Sequence, residues 1–292
     1  MTDSHNKVID PHLHLFNLQK GDYAWLKPQN SPFWPDKHLI NKSFIEADLL
    51  LEPPQQLSGF VHIEAGFDNQ QPWREIDWLE QHCTLPFKSV AFADVTAITF
   101  SKHIEQLKQY KSVAGIRYIL DEQAQQILSS ALINQHFTLL SDYQLSFDAQ
   151  LSLTDSQAIE QLILLANKHK TLRIIINHAG WPPADSDING KKVWNINLQE
   201  IAQSENIAIK LSGWEMSSRT WQPRQAATLI QHCVTTLGDN RVMLASNFPL
   251  CLFSMSYANL WNTYAKLSEL SIQSFEKITY SNAVNWYRIN EP

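Results

Sequence analysis

The sequence is short of glycine, with eight in 292 residues, and no glycine-rich loop follows its first apolar run, "KVID" at 7–10. A phosphate cradle needs such a loop so that backbone N–H groups can approach the ligand, and its lack disfavours a dinucleotide-binding open sheet. Cysteine is equally scarce. Cys83, Cys233 and Cys251 are too few and too scattered for a disulfide framework or a paired-cysteine metal knuckle, which suits buried thiols in a reducing compartment. No apolar run approaches the roughly 18 residues of a membrane span, and the leading "MTDSHNKVID" lacks the apolar stretch of a secretory signal. The expectation is a soluble, cytoplasmic protein. Positive charge is not in excess: 23 Lys and Arg against 29 Asp and Glu leave a net −6 with the signs interspersed. Neither nucleic acid nor an anionic membrane is therefore expected as a partner. A small-molecule substrate remains, and the oligomeric state is left open.

What the chain does have is apolar and aromatic bulk. A hydrophobic content of 44% supports a large core, and 10 Trp, 13 Phe and 8 Tyr supply rigid walls for packing or for a pocket. Eight short runs rich in β-branched residues recur: "KVID" (7–10), "GFVHIEA" (59–65), "KSVAFADV" (88–95), "VAGIRYIL" (113–120), "LSFDAQL" (145–151), "LRIIINH" (172–178), "NIAIKLS" (206–212) and "RVMLAS" (241–246). Between them lie segments such as "WREIDWLEQH", "SKHIEQLKQY", "TDSQAIEQLILLANKH" and "RQAATLIQHCVTTL", whose apolar residues fall three and four apart as on a helix covering a sheet. Eight strands alternating with helices, with no linker or repeat to divide them, predict a single α/β domain over residues 1–292, a (β/α)8 barrel. A long, aromatic-rich loop follows the first strand at 18–39, carrying Tyr23, Trp25, Phe33 and Trp34. It reads equally as packed loop or as a lid over the mouth.

Chemistry-bearing residues gather at the predicted strand ends. In "VIDPHLHLF" (8–16), Pro11 cannot donate to a sheet ladder and marks where regular pairing is expected to end. His12 and His14 share a parity, with Asp10 one step deeper, so all three are expected on one side of the strand. Later runs add Glu64, Arg117, Asp148, Gln150, His178, Lys210, Ser212 and Asn247 where apolar residues would pack better. A buried charge costs several kcal/mol unless it is paired. These residues are therefore either salt-bridged lining, such as Glu64 with Arg117 or Lys210, or the polar mouth of an active barrel.

The segments "IDPHLHLF", "GDYAWL", "FVHIEA", "GIRYIL", "FDAQL", "IIINHAGWP", "IKLSGW", "RVMLASNFP" and "SNAVNWYRI" together resemble the amidohydrolase superfamily. Within it they are similar to the metal-dependent-hydrolase-like branch that contains sugar-acid, pyrone-dicarboxylate and muconolactone-type lactonases. The resemblance spans almost the whole chain in the family's order and implies a distorted (β/α)8 barrel. It implies that His12, His14 and His178 are catalytic or hold a single divalent metal, zinc first, and that Arg117 contacts substrate carboxylate or hydroxyl groups. Glu64, Asp148, Gln150, Lys210 and Trp25 become substrate-binding candidates.

At position 247 the family pattern carries an aspartate, and this chain has Asn247. A carboxamide cannot accept a proton at physiological pH, so Asn247 can position a water but cannot be a general base. Two mechanisms stay open: zinc on three imidazoles acidifying its water, or a metal-free attack in which Asp148, Glu64 or His178 replaces the base. The expected function is hydrolysis of a small carboxylated or polyhydroxylated lactone. The alternatives are an impaired barrel that only binds or regulates, and a metal-dependent decarboxylase or hydratase.

Overall fold

A computed structural model describes residues 6–267 and 269–289, so the first five residues of the polar leader and the last three of the tail lie outside the described residues. Eight parallel strands follow one another in sheet order from first to last. They are β1 (Lys7–Leu13), β2 (Gln56–Ile63), β3 (Phe87–Phe92), β4 (Val113–Ile119), β5 (Ser146–Gln150), β6 (Ile174–Ile176), β7 (Ile207–Leu211) and β8 (Val242–Leu244). Every apolar run read from the sequence is one of these strands. Parallel strands are buried on both faces, which is why β6 reads as three successive isoleucines, all buried.

Helices cover the outside: α1 (Trp73–His82), α2 (Phe100–Leu107), α3 (Ala124–Leu128), α4 (Ala131–Asp142), α5 (Ser156–Lys168), α6 (Ile188–Ile201), α7 (Trp214–Ser217), α8 (Pro223–Leu237), α9 (Tyr257–Lys266), α10 (Ile272–Glu276) and α11 (Asn282–Tyr287). The spacing rule holds on α2, where Phe100, Ile104 and Leu107 are its buried residues. Inside the barrel a separate apolar layer forms from Ile9, Val61, Ile63, Val90, Ile175, Ala208 and Met243, joined by Tyr287 and Ile289 from the carboxyl-terminal tail. The tail therefore plugs the amino-terminal end of the barrel.

Closure between β1 and β8 happens only at the mouth. No ladder joins the two strands; a single parallel bridge pairs Leu13 with Phe248, with His14 N donating to Phe248 O (2.6 Å) and Asn247 N to His12 O (2.9 Å). This seam gives the barrel its distortion and places residues 12, 14 and 247 side by side.

Pro11 does not end the strand, contrary to the sequence expectation. Pairing with β2 passes from Asp10 opposite Phe60 to Leu13 opposite His62. Three steps on β1 thus match two on β2, a bulge at the one kind of interior site where proline is tolerated. The extra residue inverts the parity beyond it. Ile9 lies in the inner layer, so Asp10 points to the other face, where its Oδ1 accepts from His12 N and Ser246 N (both 3.1 Å). The expectation that Asp10 shares a side with His12 and His14 is corrected by that bulge.

Candidate active site

Three imidazoles meet at the seam. The ring centres of His12 and His14 are 5.1 Å apart and those of His12 and His178 4.6 Å apart, and all three residues are at most 6% exposed. His178 comes from a backbone turn of the disfavoured hand: His178, Ala179, Gly180 and Trp181 have φ of 53°, 54°, 61° and 52°. Asn247 stands in the same region with φ 57°. Each non-glycine residue there costs about 1–2 kcal/mol, a strain that concentrates where a side chain must be aimed. Gly213 (φ 76°) is needed opposite, because a Cβ at 213 would lie 2.7 Å from His178 Nδ1.

Hydrogen bonds behind the rings assign their faces. Lys210 Nζ reaches Asp148 Oδ2 (2.5 Å), Pro11 O (3.0 Å) and His12 Nδ1 (3.3 Å), one acceptor for each ammonium proton. His12 Nδ1 is then the lone-pair nitrogen, and Nε2 carries the hydrogen. That Nε2 is buried with no protein partner. His14 has the opposite arrangement: Nδ1 lies 2.8 Å from Ile63 O, a carbonyl that can only accept, so Nε2 keeps the lone pair. His178 Nδ1 contacts Ser212 Oγ at 3.1 Å, and the Trp181 ring lies over His178 at 4.7 Å. Burial holds all three imidazoles well below the ordinary value of 6.5, with Lys210 and Arg117 adding to the effect. The rings are neutral at physiological pH.

The acidic candidates are paired. Glu64 Oε1 accepts from Arg117 Nε (2.8 Å) and Nη2 (2.7 Å). Asp148 holds Lys210 and also accepts the Tyr287 hydroxyl at 2.9 and 3.0 Å. Desolvation outweighs those partners and raises the Asp148 carboxyl, and it lowers Lys210 to about 8. Asp148 thus faces the plugging tail and Lys210. Asp148 and Glu64, the replacement bases read from the sequence, are thus each paired with a cation. Gln150 reaches the Asp121 carboxylate at 3.4 Å. Trp25 donates its indole N–H to Ala65 O (2.7 Å) and packs on Phe16 and Trp34, so the loop after β1 is both packed and set over the mouth.

Two residues of the site were missed by sequence reasoning. Asn177 has the inward parity of Ile175, and both polar atoms of its buried carboxamide lack a protein partner. Glu215, on α7, accepts from Asn247 Nδ2 at 2.6 Å and is 1% exposed. An acidic residue three positions past Ser212 at a strand exit was the available signal.

The three histidines do not fit a resident metal. Metal-bound imidazoles present their far nitrogen to a carboxylate or carbonyl, which His14 does, but His12 presents its own to an ammonium group. Glu64 and Asp148 are each held by a cation and are not placed to offset a divalent charge. Among the described residues, no group of three or more His, Cys, Asp or Glu side chains is placed to hold a metal ion.

Neutral imidazoles, an arginine and an amide thus lie at the carboxyl-terminal mouth, the end at which barrels of this kind carry their active sites. The amidohydrolase family model matches residues 9–289, and the chain belongs to that family as one of its hydrolases. It is 28% identical over 298 positions to an uncharacterised protein of Sinorhizobium fredii, covering 97% of this chain and 98% of that one. An L-fucono-1,5-lactonase of Burkholderia ambifaria is 21% identical, covering 95% of this chain and 97% of its own. An amidohydrolase of Burkholderia multivorans, crystallised with bound zinc, superposes with a TM-score of 0.81 at 18% identity over 97% and 99% of the two chains. That likeness shows the fold. No helix among the described residues is long and apolar enough to cross a membrane.

Proposed function

We propose that this protein hydrolyses a small polyhydroxylated or carboxylated lactone by attack of water on the ring carbonyl, without a metal. The observation that carries the reading is the unpartnered, buried Nε2 of His12, together with the unpartnered, buried carboxamide of Asn177. A buried polar group without a partner costs about 1–3 kcal/mol, and at a barrel mouth an oxygen-rich ligand is the partner that offsets this. His12 Nε2–H, its tautomer set by Lys210, donates to the carbonyl oxygen as negative charge develops there. Arg117 uses Nε and Nη2 on Glu64 and offers Nη1 to a substrate oxygen. His14 Nε2 accepts one hydrogen of the water and holds it over the ring carbon. Asn177 reads hydroxyl groups.

The L-fucono-1,5-lactonase relative supports the substrate class. Purified protein is assayed with a panel of sugar and dicarboxylate lactones by the acid released on ring opening. The expected outcome is turnover of at least one member, and its loss by about 10²–10³-fold in His12→Ala, the scale of one oxyanion donor.

A further inference from the structure

Resting on the lactonase reading above, we propose that Glu215 is the proton acceptor for the attacking water, a carboxylate that has moved from position 247 on the β8 turn to α7 on the β7 turn. The placement argues for it. Glu215 Oε1 lies 2.6 Å from Asn247 Nδ2, so the carboxyl group stands against the side chain that occupies the family's acidic position. α7 begins two residues after Ser212, which holds His178, so Glu215 leaves the sheet at the same mouth. Because a carboxylate only accepts, the contact also fixes the Asn247 amide with Nδ2 toward Glu215 and Oδ1 turned away.

The other carboxylates considered for the task are engaged. Glu64 is held by Arg117 and Asp148 by Lys210 and Tyr287, and Asp10 is bound by two backbone N–H groups on the far face of β1. Glu215 has no cation on its carboxylate; Arg219 on the same loop binds its backbone carbonyl at 2.5 Å. Around it stand Asn247, Arg219, Cys251 from the turn after β8 and Tyr264 from α9. Burial raises its carboxyl from 4.5 to about 7, against the Asn247 hydrogen bond, which lowers it. A general base is most effective when its pKa is near the working pH.

The step balances without a co-reactant. Water gives one proton to the Glu215 carboxylate as its oxygen bonds the lactone carbonyl carbon and the carbonyl π pair moves onto oxygen. Collapse of that intermediate breaks the ring C–O bond, and the departing alkoxide takes the proton back from Glu215. The product is the open hydroxy acid.

The test is steady-state kinetics over pH for wild type, Glu215→Gln, and the exchange variant Glu215→Gln/Asn247→Asp, with folding checked by near-UV circular dichroism. Glu215→Gln is expected to lower kcat by about 10²–10⁴-fold, the range for a general base, and to abolish the acid limb of the profile near pH 7. The exchange variant returns a carboxylate to position 247 and is expected to recover kcat to within about tenfold of wild type, with its acid limb at a new pH; a merely structural Glu215 would not give that rescue. If Glu215→Gln does not fold, Glu215→Asp decides: reduced kcat with the acid limb retained supports the inference, and unchanged kcat overturns it. Wild-type kcat and acid limb in Glu215→Gln overturn the inference and leave the lactonase reading standing. An inactive wild type across the whole lactone panel overturns both.

Discussion

Ala179 has no chemistry of its own, yet its φ of 54° places it in the middle of the left-handed turn that aims His178. A glycine there loses nothing sterically and relieves part of the strain, at the cost of a more flexible unfolded chain. Ala179→Gly is expected to gain up to about 1 kcal/mol in denaturant unfolding while lowering kcat, because His178 is less firmly held. Lys210 makes the complementary case. Lys210→Met leaves Asp148 as an uncompensated buried charge, a loss of about 3–5 kcal/mol. Adding Asp148→Leu should recover most of that stability but not kcat, because His12 still lacks the ammonium that sets its tautomer. Thermal unfolding alongside kinetics separates the two effects. Single residues were the least legible part of the sequence. The histidine pair announced itself through spacing and context, but a lone Asn177 or Glu215 looks like any polar residue until the opposing strand end is known.

Among the elements, strands were legible because burial on both faces leaves an unbroken apolar signature, as in β6. The bulge at Pro11 was not, because sequence shows a proline but not which of two neighbouring residues loses its partner. Its consequence is large, since it turns His12 and His14 inward and Asp10 outward. The loop over the mouth is also an element-scale device. Arg219 pairs with Asp36 (2.7 Å) and lies 4.1 Å over the Phe253 ring and 5.7 Å over that of Trp34, tying the loops after β1, β7 and β8 together above residues that are almost fully buried. On the lactonase reading proposed above, these contacts part for substrate to enter. Because the ion pair is partly exposed, its contribution to stability is small, about 0.2–1 kcal/mol. Arg219→Ala is therefore expected to shift KM severalfold with little change in Tm, measured by initial rates and thermal unfolding. An unchanged KM with a large fall in Tm would show that the strap is structural only.

Taken as a whole, the barrel stores opposing titrations in its mouth. An unfolded chain protonates His12, His14 and His178 below about pH 6.5 while the folded chain keeps them neutral, so their contribution to stability falls as pH drops through that value. Asp10, raised to about 6, and Glu215, raised to about 7, act with the other sign. The folded state keeps their protons where the unfolded state releases them, so their contribution falls as pH rises from about 4 to about 7. Removing one of the two should expose the histidine slope. Urea unfolding of Glu215→Gln is expected to show stability that climbs relative to wild type between about pH 4.5 and 7 and then levels off; a constant difference across that range would mean Glu215 does not titrate there. The barrel architecture was readable from eight recurring runs, but the seam at β1 and β8 was not, since closure depends on one bridge between residues 235 positions apart, Leu13 and Phe248.

The most direct measurement of the account is lactone turnover by protein whose metal content is determined by elemental analysis of the same sample, before and after exhaustive treatment with chelator. The mouth described above, with Lys210 behind His12, Glu64 on Arg117 and Asp148 on Lys210, predicts ring opening at an undiminished rate in metal-free protein. Activity that vanishes with the metal and returns in proportion to added zinc would contradict it.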